Sequence, residues 1–222
     1  MVLHEPDLGA AEPMSTGPTS PAAAASTATR AVAVDAAASG LAAAEHLVHR
    51  VDAALADLLA EDGPEGYVVS THVVRTPVSR SAAVVSWRGG PEPARVTARL
   101  RAALPELAAV DGALVTAAAL APGALAAAGE ARRRTAGRLA RYPGRAGVER
   151  RTTPAGAVSA SCLDAVEGLA GVAVTPDSVL DATGFARPTW RDGRCTLLVQ
   201  RGTAGVLVPF EVRHQIACCS DH

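Results

Sequence analysis

Between residues 41 and 58 the chain places Leu41, Ala44, Val48, Val51, Leu55 and Leu58 at intervals of three and four, while Glu45, His49, Asp52 and Asp57 fall between them. Only a helix, with its 3.6-residue period, gathers such positions onto one face. A single apolar stripe has to be buried against another element, so this segment commits the chain to a layered globular fold. Ser39 is a candidate cap, and Gly63-Pro64 supplies a stop.

The segments that follow offer the layer to pack on. Residues 67–75 and 81–87 are rich in β-branched side chains and are joined through Pro77, a pattern that predicts a hairpin. Val96, Leu100 and Leu104 mark a short helix closed by Pro105. Residues 113–119 fit a buried strand or a helix equally well. The alanine-rich, proline-free stretch 124–141 predicts one helix, ended by Pro143-Gly144. Beyond it, 148–152, 157–161 and 171–174 read as strands and 162–169 as a small helix, and Thr175-Pro176-Asp177 opens another helix. Residues 195–200 and 206–214 flank a five-residue loop, giving a second hairpin with Val206, Val208, Phe210 and Val212 toward the core. Helices interspersed with hairpins predict an α+β fold: an antiparallel or mixed sheet with helices packed on one side. Upstream, residues 15–40 are built largely from Ala, Ser, Thr and Pro and lack the large apolar groups that offset ordering entropy. Residues 1–40 are therefore expected to form a disordered N-terminal leader, and 41–222 a single α+β domain.

Composition narrows the chemistry. Hydrophobic residues make up 49% of the 222, yet aromatics only 3%, and much of the remainder is alanine, so the core must rest on Val and Leu. There is no lysine, no asparagine and a single isoleucine, Ile216, which reads as the codon usage of a GC-rich genome. A chain without lysine has no P-loop and no Schiff-base nucleophile. The dinucleotide fingerprint, HExxH, GxSxG, paired CxxC and EF-hand patterns are also missing. A formal charge of −1 argues against nucleic acid as a partner. The first residues carry Glu5, Asp7 and Glu12 and no arginine, so no secretory signal is expected. The uncharged run 112–129 is mostly alanine, with Pro122 and Gly123, and predicts no membrane span. A cytoplasmic protein with reduced thiols at Cys162, Cys195, Cys218 and Cys219 is the resulting expectation.

Several groups of side chains are candidates for function. Eight arginines lie between 132 and 151, and on the predicted helix Arg134, Arg138 and Arg141 share a face, where three guanidinium forks can hold a phosphate or carboxylates. The plainer alternative is a solvated helix face. The loop-rich stretch 183–193 brings Phe185, Trp190, Arg191 and Asp192 together, and Trp190 and Arg191 are placed on a pocket wall. At the C-terminus, His214, Cys218, Cys219 and His222 concentrate imidazole and thiol: His214 or Cys218 as base or nucleophile, and Cys218, Cys219 and His222 as metal ligands. Adjacent cysteines on a strand point to opposite sides, which argues against one shared ion. The run from His214 resembles the H-x-x-x-D-G segment of acyltransferases related to chloramphenicol acetyltransferase and the 2-oxo acid dehydrogenase core, whose His is a general base. Here Cys218-Cys219 stands in the Asp-Gly place, and the family is not assigned. His46 and His49 on the first helix are expected to face solvent, and His72 to be a hydrogen-bonded sheet residue.

No cofactor is identified by any of these patterns. The leading expectation is a soluble binding or accessory protein that recognises an anionic small molecule (phosphate, carboxylate or coenzyme-A-like) or a protein partner. The alternatives are an enzyme with dispersed residues, using acyl-transfer or metal/thiol chemistry, and a structural subunit, with a homo-oligomer among the possible assemblies.

Overall fold

A computed structural model of the chain describes residues 28–60, 66–76 and 78–211. The chain runs β1 (Arg30–Ala38), α1 (Leu41–Ala60), β2 (Tyr67–Val74), β3 (Arg80–Trp87), α2 (Pro93–Ala103), β4 (Ala108–Val110), β5 (Ala113–Val115), α3 (Ala121–Arg133) and β6 (Arg138–Arg141). It continues through α4 (Arg145–Val148), β7 (Arg151–Thr152), α5 (Pro154–Ser159), β8 (Ala165–Gly168), β9 (Leu180–Asp181), β10 (Thr189–Arg191), β11 (Arg194–Arg201) and β12 (Leu207–Pro209). The strands form one 12-stranded mixed sheet in the order β4-β5-β1-β3-β2-β6-β10-β11-β12-β9-β7, with β8 beside β11. The fold is mixed α+β, as the alternation of helices and hairpins predicts. β3 lies antiparallel between β1 and β2, so the β1-α1-β2 unit is split by the hairpin partner of β2.

The two faces of the first half differ in the size of their side chains. On one, Val32, Val34, Tyr67, Val69, Val85 and Trp87 meet the stripe of α1 and the Val96, Leu100 and Leu104 edge of α2. On the other, Ala31, Ala33, Ala82 and Val84 meet Ala121, Ala124, Ala127, Ala128 and Ala131 of α3. Helices thus cover both faces: the one-sided layer holds for α1 and α2, and α3 lies opposite. This second interface is built largely from alanine, and small residues there permit close approach of helix and sheet. A Val or Leu contributes about 1.5–3 kcal/mol on burial, so the α1 face carries most of the hydrophobic stabilisation.

Several local expectations are corrected. Arg30–Ala38 is a strand, because its alternating Val32 and Val34 pair with β3, so order begins within the stretch expected to be an unfolded leader; residues 1–27 lie outside the described residues. The α1 stripe is Ala44, Leu47, Val48, Val51, Ala54, Leu55 and Leu59, while Leu41 is exposed at the first turn. Residues 124–141 do not form one helix. α3 stops at Arg133, Arg134 turns left-handed (φ 55) and donates its N–H to the Ala131 and Glu130 carbonyls, and β6 follows. Of the segment read as a strand at 148–152, Arg151–Thr152 forms β7 and Val148 ends α4; the segment 157–161 contains the end of α5 instead of a strand, and the helix expected at 162–169 contains β8. No regular element occupies 171–174 beyond the 3-10 turn ending at Gly171, and the Pro176 segment is a turn. The late hairpin forms, with Gln200 opposite Val208, but its faces are inverted: Leu207 and Pro209 are buried, and Phe210 is 52% exposed.

Candidate functional site

α3 runs along β2 and β3 but ends before they do. Gly123 near its start lies against Val74 and Arg80, and Glu130 near its end reaches His72. Past Ala131 the same sheet face continues as Val68 and Ser86 without a helix above it. There the second half of the chain comes close, bringing the Pro143-Gly144 turn and the segment from Ser159 to Cys162. Between them lies a cleft of about 520 Å³, within the usual range for small-molecule sites. Gly144 is required in this wall: its φ is +75, and a side-chain carbon would overlap the Ala160 carbonyl.

The cleft has a definite chemical character. Arg134 and Arg88 supply cationic groups, Thr29, Ser86, Ser159 and Ser161 supply hydroxyls, and Cys162 supplies a thiol. Among the described residues that line it there is no carboxylate. Trp190 forms part of its wall, and Trp87 borders it from β3 with its indole packed into the core on the α1 face. The left-handed turn at Arg134 swings its guanidinium off the helix axis and over the Trp190 ring, 4.6 Å from the centroid. A non-glycine residue held there costs about 1–2 kcal/mol, and such strain gathers at binding sites. The Arg88 Nε donates to Thr29 Oγ1 at 3.4 Å.

Beneath Arg134, Cys162 Sγ lies 4.0 Å from Cys195 Sγ. Cys195 is fully buried, whereas Cys162 is half-buried and borders the cleft. Hydrogen bonding from Cys195, reinforced by the Arg134 charge, holds the Cys162 thiol below its ordinary value against the effect of burial. Cys195 is pushed up, first by that same hydrogen bond and then by burial.

The arginines expected on one helical face go to separate places. Arg138 on β6 pairs with Glu211, its Nε 2.7 Å from Oε1. Arg141, at the other end of β6, lies 3.2 Å from Asp52 Oδ1 and 4.2 Å above the Tyr67 ring. Tyr67 donates to the same Asp52 oxygen at 2.6 Å, and burial together with that bond pushes its hydroxyl up to about 12. The buried Arg187 reaches Glu45 of α1 at 2.9 Å and stacks on Phe185 at 4.5 Å. Burial alone would raise Glu45, but the Arg187 bond and the charges of Arg187, Arg138 and His49 hold its carboxyl below the usual range. These arginines join the halves of the molecule through the protein's own carboxylates. Arg191 is exposed, 3.9 Å from Glu167 and 3.8 Å from Asp192. Of the expected ligand-binding residues, the structure brings Arg134 and Trp190 together in the cleft and leaves Arg138, Arg141 and Arg191 outside it. Phe185 is not on its wall. His214, Cys218, Cys219 and His222 lie outside the described residues, and among those described no cluster of three or more His, Cys, Asp or Glu side chains has metal-binding geometry.

A polar relay also crosses the alanine-lined interface. His72 Nε2 lies 2.9 Å from Ser70 Oγ, and Nδ1 lies 2.9 Å from Glu130 Oε2. Burial lowers the affinity of His72 for a second proton more than Glu130 raises it, so the ring is neutral, hydrogen-bonded rather than ion-paired. The bonding pattern then assigns Nδ1–H as donor to Glu130 and Nε2 as acceptor from the Ser70 hydroxyl. The order Ser–His–Glu matches that of a hydrolytic triad, but Ser70 has no exposed surface and no substrate reaches it. Its role is structural, and His72 is the satisfied sheet histidine expected from its alternation with Ser70. His46 and His49 are exposed.

A second recess of about 510 Å³ lies between β1 and α2 and includes Arg30, Arg101 and Arg132. The Arg30 guanidinium is already bonded to Glu92 and to the Gly90 and Pro91 carbonyls. Among the described residues no helix is long and apolar enough to cross a membrane. No protein family, curated protein or solved structure matches the chain.

Proposed function

We propose that the protein binds a small anionic molecule, a phosphate or carboxylate compound, in the cleft beyond the end of α3, as a binding or accessory protein of the cytoplasm. The observation that carries this reading is the cleft's composition: Arg134 stacked on Trp190, four hydroxyls and, among the described residues that line it, no carboxylate. In a partly enclosed site, a guanidinium with hydroxyls beside it binds an anion by charge-assisted hydrogen bonds. The apolar wall of Val68 and Trp190 favours an organic body attached to the anionic group. Arg138, Arg141 and Arg187 do not compete, since carboxylates of the chain already pair with them.

Thermal unfolding in phosphate or citrate, against chloride at equal ionic strength, tests the reading. At a concentration about a hundred times its Kd, a specific anion stabilises the fold by about 2.7 kcal/mol. Arg134→Gly separates binding from folding: relief of the left-handed strain, about 1–2 kcal/mol, offsets a lost cation–π contact of about 0.5–2 kcal/mol. The expected result is an unchanged melting temperature without ligand and no anion shift. A shift that survives Arg134→Gly but disappears in Arg101→Gln/Arg132→Gln moves the ligand to the second recess and overturns the proposal.

A further inference from the structure

The anion reading makes no use of the Cys162 thiol in the cleft wall or of the Cys195 thiol behind it. Their arrangement is asymmetric. Cys162 faces the opening, and Cys195 stands behind it in the core at 4.0 Å. The backbones around them are tied together: Asp164 N–H donates to the Cys195 carbonyl at 2.8 Å, and Cys195 N–H donates to Asp164 Oδ2 at 2.7 Å. β8 and β11 then continue side by side from Ala165 and Thr196. Cys162 N–H is in turn held by the Pro143 carbonyl at 3.1 Å. A disulfide needs its sulfurs about 2.05 Å apart, so this pair stands about 2 Å from bonding distance.

We infer that Cys162 and Cys195 form a redox-active dithiol, in which a hydroperoxide entering the cleft oxidises Cys162 and Cys195 resolves the product into an intramolecular disulfide. In the first step the Cys162 sulfur attacks one peroxide oxygen. The S–O bond forms, the O–O bond breaks, and the other oxygen leaves as water or an alcohol after taking up a proton. The peroxide is reduced by two electrons and the sulfur oxidised to a sulfenic acid. In the second step the Cys195 sulfur attacks the sulfenic sulfur: the S–S bond forms, the S–O bond breaks, and hydroxide takes the Cys195 proton and leaves as water. Two thiols and one peroxide yield one disulfide, one water from the second step and one water or alcohol from the first. Arg134 favours the first step, since its charge stabilises a thiolate at Cys162. The high position of Cys195 keeps that thiol protonated until a sulfenic acid stands beside it.

The inference stands if anion binding fails, because its test uses ligand-free protein. Full-length protein is treated with one equivalent of hydrogen peroxide, blocked with N-ethylmaleimide and digested without reduction; a peptide pair linking Cys162 to Cys195, lost on adding dithiothreitol, is expected. In Cys195→Ser, Cys162 is expected to accumulate as a sulfenic acid trapped by dimedone. In the untreated wild type, iodoacetamide should modify Cys162 on the order of tenfold faster than Cys195 or more. Linkage of Cys162 to Cys218 or Cys219 overturns the inference, as does its conversion to sulfinic acid with Cys195 still free. Equal alkylation rates at Cys162 and Cys195 also overturn it, and that measurement needs no variant to fold.

Discussion

Replacing Gly137 by alanine tests how tightly the relay under α3 is seated. Gly137 has φ +118, and a β-carbon there would lie 2.6 Å from His72 Cε1 and 2.7 Å from Nε2. The backbone conformation alone costs an L residue about 1–3 kcal/mol. The ring has no free direction in which to retreat, because both nitrogens are hydrogen-bonded and the residue is 2% exposed. Overfilling such a site costs a further 1–3 kcal/mol or so. The sum, about 2–6 kcal/mol, is a large share of the 5–15 kcal/mol typical of a folded domain. Gly112→Ala is the matched control, since Gly112 has φ +91 and no atom within 4 Å of the added carbon, so only the backbone cost applies. Urea unfolding followed by tryptophan fluorescence gives both losses, with unchanged m-values as the check on two-state behaviour. Gly137→Ala should exceed the control by about 2 kcal/mol. Equal losses would refute the close seating of His72 against this turn.

Two further outcomes follow from buried charge and from proton linkage. Asp35 is fully buried, accepts from Arg80 Nε at 2.7 Å and from the Ala37 N–H at 3.0 Å, and is the ion-pair partner of the buried Arg80, whose Nη2 has no acceptor among the described residues; Asp35→Ala should therefore cost about 3–5 kcal/mol in urea unfolding, with part regained in Asp35→Ala/Arg80→Met, and a loss below about 1 kcal/mol would contradict this. His72 is neutral in the fold, with its affinity for a proton held below the ordinary 6.5, so the unfolded chain binds more protons below that pH. Its contribution is fully present above pH 6.5 and is lost as pH falls toward the folded value. His72→Gln should flatten this part of the stability–pH curve, and a wild-type stability that rises between pH 7 and 5 would contradict the assignment.

The elements legible in the sequence are those whose pattern is local. α1, the β2–β3 hairpin and α2 follow from stripes and β-branched runs, because burial on one large-residue face enforces a strict period. Alanine removes that information. Along 124–141 nothing marks the end of α3, which is set by a left-handed arginine where glycine would have been the signal. The same ambiguity hid β1, whose Ala31 and Ala33 face α3 while Val32 and Val34 face α1, so no polar residue marks its alternation. In the short second half, turns and single helical turns outnumber periodic segments, and the inverted faces of β12 show how little three residues can specify. Of the candidate site, Arg134 and Trp190 were visible as residue types. Their meeting depends on the turn that ends α3 and on pairing of β10 with β6, and Cys162 and Cys195, 33 positions apart, carry no spacing signal.

Trp190 lines the cleft beneath the Arg134 guanidinium, so intrinsic fluorescence reports its occupancy. The most direct test is a phosphate and citrate titration of wild type and Arg134→Gly, read at the tryptophan emission with chloride as the ionic-strength control. A saturable change in the wild type that vanishes in the variant is the predicted result. A wild-type emission that follows ionic strength alone, identical in the variant, would contradict an anion site at Arg134.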